Sequence, residues 1–194
     1  IRLSLVGSEM CIRDRADAFV KGLEGIDYEL GLQAMLKDAT VCPGDRHEAE
    51  GRGGLIPYLE LGYIPYGIPR AGNRTVEYSY CDYAIALVAK GLGKEGLYQH
   101  YLKQSGNWKN LWRDDYEHAG AKGFILPRDE KGNWLDEITF GKSKIQKPTF
   151  TYTPVTFEGP WYTPWWDMFF YEASSWEYSL SIPHDVPGLI EKCV

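Results

Sequence analysis

Residues 75–93 read TVEYSYCDYAIALVAKGLG, and this stretch sets the fold class. Counting from Glu77, positions i+3, i+4, i+7, i+8 and i+11 are Tyr80, Cys81, Ala84, Ile85 and Val88, the repeat of one helical face. Thr75 offers a hydroxyl as N-cap, and Gly91 and Gly93 stop the pattern, so the spacing predicts a helix over 76–90. The core-facing stripe therefore begins with a carboxylate. Glu77 either stands at the edge of a cavity or, from the first turn, complements the positive end of the helix.

On the N-terminal side, Phe19, Leu23, Ile26, Leu30, Met35 and Leu36 recur at three- to four-residue spacing and predict a helix over 16–40, weakened by Gly22, Gly25 and Gly31. Residues 41–74 are rich in Gly and Pro and predict a long loop. Its Asp45, His47, Glu48 and Glu50 match no ligand spacing, so no metal ligand is assigned there. On the C-terminal side a helix over 95–110 would bury Leu97, Tyr101 and Trp108 with Lys103 and Lys109 outward. Helical periodicity is lost over 111–164, where GFILPRDEKGNW (123–134) predicts a short hairpin around Lys131, Gly132 and Asn133. Ser174 and Glu177 then form a capping box, and Asp185 can cap a helix that takes Pro187 in its first turn.

The chain has 194 residues, 44% of them hydrophobic, which is enough for one domain with a sizeable core. Its net charge of −6, without a basic run, gives nucleic acid and anionic membranes no electrostatic handle, and it has no apolar stretch of bilayer length. Cys11, Cys42, Cys81 and Cys193 lie far apart with no CxxC spacing, against a zinc knuckle or dense disulfide scaffold. Residues 1–15, IRLSLVGSEMCIRDR, have too short an apolar run for a signal peptide and resemble a translated adaptor. They are expected to be foreign to the domain, and the missing initiator Met fits a fragment.

Chemistry is concentrated in 161–185, WYTPWWDMFFYEASSWEYSLSIPHD, which holds Glu172 inside the densest aromatic stretch of the chain. Loss of water around a carboxyl disfavours its charged form and keeps it protonated near neutral pH, as a general acid requires. The flat faces of Trp and Tyr also suit the C–H faces of sugars. The competing possibility is an aromatic core with one glutamate at its rim. Glu172 precedes the Ser174 cap and so falls in a loop, where its side chain can enter a pocket. His184 is either a ligand contact or a satisfied surface histidine.

At these residues a resemblance becomes specific. The blocks ADAFVKGLEGIDYELGLQAMLKDA, YLELGYIPYG, VEYSYCDYAIALVAKGLGK, NWKNLW with GFILPRDEKGNW, and YEASSWEYSLSIPHDVPGLIE resemble, in order and spacing, consecutive blocks of glycoside hydrolase family 92. The resemblance implies an exo-acting, inverting, Ca²⁺-dependent α-mannosidase, mostly α-1,2, and hence mannose-containing glycans as partners and a secreted parent. It implies a mainly α fold: part of an (α/α)6 toroid with long Gly/Pro-rich loops and a short β-hairpin, over 16–194.

Carried over by position, Glu172 matches the glutamate of the family's Glu-Gly-Asn-x-Trp-Gln block and is expected to be the general acid. Ala173, Ser174 and Glu177 depart from that block, whereas Trp176, Tyr178, Pro183, His184 and Asp185 agree with it, as in a eukaryotic, fungal-like variant. Glu77 matches a Leu-Glu-Tyr glutamate and is the runner-up for the acid. Glu77, Trp165, Trp176, His184 and Asp185 are the expected substrate contacts. The general base belongs to a Gly-Asn-Asp-Asp block that does not occur in residues 1–194. Calcium contacts are expected mostly outside this chain, and no metal ligand is named. A non-catalytic sugar-binding domain using the 161–176 aromatics is the alternative, and a helical scaffold a weaker third.

Overall fold

The computed structural model describes residues 8–42, 44, 51–139, 149–154, 169–170 and 173–193. In chain order its elements are α1 (Ser8–Val20), α2 (Tyr28–Thr40), α3 (Leu55–Leu61), α4 (Ala71–Gly91), α5 (Glu95–Gln104), a 3₁₀ turn (Asn107–Leu111), β1 (Trp112–His118), β2 (Ala121–Ile125), β3 (Glu137–Thr139), β4 (Thr149–Thr151), α6 (Ser175–Leu180) and α7 (Val186–Cys193). The fold is mainly helical, and β1 with β2 and β3 with β4 form two small antiparallel pairs. The chain divides into one unit of residues 1–62 and 77–107 and a second of 63–76 and 108–194.

In the first unit α1, α2, α4 and α5 share a core that includes Ile12, Leu32, Met35, Ile85, Val88 and Tyr101. Each large apolar side chain so buried contributes about 1.5–3 kcal/mol. The helix expected over 16–40 is two helices, because Gly22 and Gly25 adopt φ of 66° and 78° and end the first. Spacing counted across such a break carries no information about a face, and Leu23, Ile26 and Leu30 are exposed while Leu32, Met35 and Ala39 face the core. Asp27 caps the second helix, its carboxylate accepting from the Leu30 N–H at 2.9 Å. Residues 8–15, set apart in the sequence, lie in α1, and Ile12 is buried there. The 41–74 loop contains α3, framed by Gly54 and Gly62 in the left-handed conformation, with Pro57 in the first turn where its missing N–H costs nothing.

α4 starts at Ala71, five residues before the expected 76. Thr75 is therefore not an N-cap; its hydroxyl donates to the Ala71 carbonyl at 2.8 Å and accepts from the Ile64 N–H at 3.0 Å. Nor is Glu77 in the first turn, so a role towards the helix dipole lapses. α5 likewise stops at Gln104, and Trp108 is buried from the 3₁₀ turn instead.

The second unit is built around the β1–β2 hairpin. Ala119 and Gly120, with φ of 51° and 81°, make a two-residue turn of the kind whose twist matches paired strands. The turn expected around Lys131, Gly132 and Asn133 is also present, but it closes only a single Arg128–Trp134 bridge. There the Asp129 carboxylate accepts from the N–H groups of Lys131 and Asn133, and the Asn133 side chain and backbone hold its pKa below the usual carboxylate range. α6 sits on β2 through two hydroxyls: Ser179 accepts from the Ile125 N–H and Ser175 donates to the Ile125 carbonyl, each at 2.8 Å.

Candidate functional site

Glu172 and Trp165, the expected acid and one expected sugar contact, lie outside the described residues. Their sequence neighbours Phe169 and Phe170 are described, and both are buried in the second unit. The Gly72 N–H donates to the Phe169 carbonyl at 3.0 Å, so the first turn of α4 holds this aromatic pair by its backbone. Phe170 stacks on Tyr178 at 4.7 Å and 9°, while Phe169 meets Tyr152 edge-on at 6.0 Å. The Asn73 amide donates to the Tyr178 hydroxyl. On the other side of Glu172 the expected capping box forms, Glu177 accepting from the Ser174 backbone N–H at 2.8 Å and from its hydroxyl. Those bonds lower the Glu177 pKa and commit it to helix initiation rather than to chemistry.

Trp176, in the first turn of α6, is half-buried, and its indole N–H donates to His118 Nδ1 at 3.3 Å. Phe124 meets the same indole edge-on at 4.9 Å. His184 is half-buried at the entry to α7. Asp185 caps that helix as expected, Oδ1 accepting from the Gly188 N–H at 3.0 Å. Its Oδ2 accepts from Trp108 Nε1 at 3.2 Å and pairs with Lys109 Nζ at 2.8 Å. Burial pushes the Asp185 carboxyl up, but Lys109, Gly188 and Trp108 outweigh it and leave the pKa below the ordinary value. This carboxylate is a structural junction between the 3₁₀ turn and α7.

Glu77 belongs to the first unit, where it is half-buried and accepts from Arg13 Nη1 at 2.7 Å. A cleft of about 180 Å³ nearby on α1 and α4 is lined by Arg13, Asp17, Tyr80 and Tyr83 among others, and Glu77 is not one of its lining residues.

Sequence reasoning missed a buried charged cluster in the first unit. Arg52, 1% exposed, donates to Asp82 Oδ1 at 2.8 Å, and the Tyr58 hydroxyl donates to Asp82 Oδ2 at 2.8 Å. The guanidinium also lies 4.9 Å from the Tyr78 ring centroid. Burial pushes the Asp82 carboxyl up while Arg52 and Tyr58 pull it back, and Asp82 keeps the buried guanidinium charged. The signal was available: Asp82 is the one acidic residue inside the otherwise uncharged run 78–89, and Arg52 stands among glycines. Among the described residues no three His, Cys, Asp or Glu side chains converge to hold a metal ion.

A model of the glycosyl hydrolase family 92 catalytic domain matches residues 9–193. An uncharacterized secreted glycosidase of Arthroderma benhamiae is 37% identical over 191 residues, covering 90% of this chain and 23% of its own length. An inverting mannosidase of the family from Bacteroides thetaiotaomicron superposes with a TM-score of 0.73 and 28% identity over 99% of this chain. An α-mannosidase of the same family and organism, in complex with mannoimidazole, superposes with a TM-score of 0.57 and 31% identity over 77% of this chain. The chain spans only 22% and 16% of those two solved chains.

Proposed function

The chain belongs to glycosyl hydrolase family 92, and from that premise we propose that it is part of a secreted α-mannosidase that removes terminal α-1,2-linked mannose from glycans with inversion. The observation that carries this is the likeness, at 31% identity over 77% of the chain, to an α-mannosidase in complex with mannoimidazole. In the proposed mechanism Glu172 donates a proton to the departing glycosidic oxygen. A second carboxylate, about 6.5–9.5 Å from the first and supplied from a Gly-Asn-Asp-Asp block outside residues 1–194, takes a proton from the water that attacks the opposite face of the anomeric carbon. The described residues that flank Glu172 in sequence are the pair Phe169 and Phe170, anchored at Gly72, and the Ser174 cap. Trp165, Trp176, His184 and Glu77 are each proposed to contact substrate in an (α/α)6 toroid completed by further chain. Asp185 is proposed to serve that contact set through the start of α7. Calcium is proposed as a requirement of the complete enzyme, with ligands outside the described residues.

The test is made in the full-length enzyme carrying this segment. Glu172→Gln should abolish mannose release from α-1,2-mannobiose while sparing aryl mannosides with acidic phenols, because protonation matters most for a basic leaving oxygen. If Glu77→Gln shows that leaving-group dependence and Glu172→Gln does not, the two roles are exchanged.

A further inference from the structure

We infer that His118 is a positioning residue for substrate: it fixes the indole of Trp176 so that the ring presents one face to a mannosyl unit. This rests on the proposed contact between Trp176 and substrate. An indole carries a single donor, and here it is spent on His118 Nδ1 at 3.3 Å. His118 Nδ1 thereby sets the direction in which the indole N–H points.

The rest of the surroundings remove the remaining freedom of Trp176. Phe124 packs edge-on at 4.9 Å and 76°, and the imidazole lies 6.0 Å away at 67°. The Trp176 backbone N–H donates to the Pro154 carbonyl, and its neighbour Ser175 is bonded to Ile125. His118 in turn is fixed by the hairpin: it is the last residue of β1, pairs with Ala121, and precedes the Ala119–Gly120 turn. Backbone, ring edge and hydrogen bond are thus all determined before any ligand arrives. A flat apolar face held in one rotamer binds a sugar ring with little ordering cost on binding. Trp176 is half-buried, so part of its ring stays open to a ligand.

The experiment follows the Trp176 indole ¹⁵N–¹H resonance of the full-length enzyme carrying this segment, assigned by its loss in Trp176→Phe, during titration with methyl α-D-mannopyranoside. The resonance should shift on binding. His118→Phe keeps a ring but loses the acceptor, and should move the free-state resonance and weaken binding about five-fold, the value of one neutral hydrogen bond. His118→Asn places an oxygen near the position of Nδ1 and should recover most of that affinity. An indole resonance unmoved at saturating mannoside overturns the inference, as does wild-type affinity in His118→Phe or an Asn variant as weak as the Phe variant. If His118→Phe loses spectral dispersion, His118→Asn decides alone: near-wild-type affinity supports the role, and a loss beyond five-fold refutes it. The assignment of Glu172 fails on leaving-group dependence instead, so the two ideas fail separately.

Discussion

Phe170 lies so close to Gly72 that no side chain can stand between them. A Cβ built at Gly72 would come within 2.6 Å of Phe170 Cε1 and 2.8 Å of Phe169 Cε1. Neither ring can retreat freely, since Phe170 is stacked on Tyr178 and Phe169 is packed against Tyr152. Gly72→Ala should therefore destabilise the second unit by about 1–3 kcal/mol through overpacking, more than the roughly 1 kcal/mol gained in helix propensity. Denaturant unfolding measures this, and an Ala variant as stable as wild type would show that the aromatic pair is not seated on α4.

Asp185→Asn keeps a capping oxygen for α7 but removes the charge that meets Lys109, and should cost about 1 kcal/mol at neutral pH. The folded pKa of Asp185 is depressed, so its contribution is present above the unfolded carboxylate pKa of about 3.9 and is lost as pH falls through the folded value. The wild type and the variant should converge in stability as pH drops below about 4. A stability gap that stays constant from neutral pH down to that range argues against the charge.

Removing one partner of the buried pair should be costly. Asp82→Ala leaves Arg52, at 1% exposure, with the longer 3.4 Å pair to Asp38 in place of the 2.8 Å one and is expected to cost about 3 kcal/mol. The double change Arg52→Met with Asp82→Leu should cost less than the two single changes together, because it removes both desolvation penalties. Additive losses in a double-mutant cycle would mean that the two groups do not act as a pair.

Deleting residues 1–15 tests whether they are foreign to the domain, as their adaptor-like sequence suggests. A foreign segment predicts a change below about 1 kcal/mol, whereas burial of Ile12 in the core predicts a larger loss, to which the partly exposed Arg13–Glu77 pair adds little. A loss of 2 kcal/mol or more, the scale of deleting a buried side chain such as Ile12, would return the segment to the domain.

Local chemistry was legible wherever neighbours in sequence satisfy one another. The Ser174 and Glu177 box, the Asp185 cap and the body of α4 were all readable because their partners lie within a few residues. The order of motifs likewise carried the family. Helix limits were less legible: the break at Gly22 and Gly25 and the start of α4 at Ala71 depend on left-handed glycines and on Thr75 bonding back to Ala71.

What the sequence alone determined was therefore a mainly helical member of a glycosidase family, with one carboxylate set among aromatics. Only the tertiary structure decided that Asp185 is held by Trp108 and Lys109, that Arg52 meets Asp82 across thirty positions of chain, and that His118 receives the Trp176 indole across fifty-eight. The reason is physical: a buried polar atom must find a partner, and when none lies within a turn or two, chain folding alone selects which distant group supplies it.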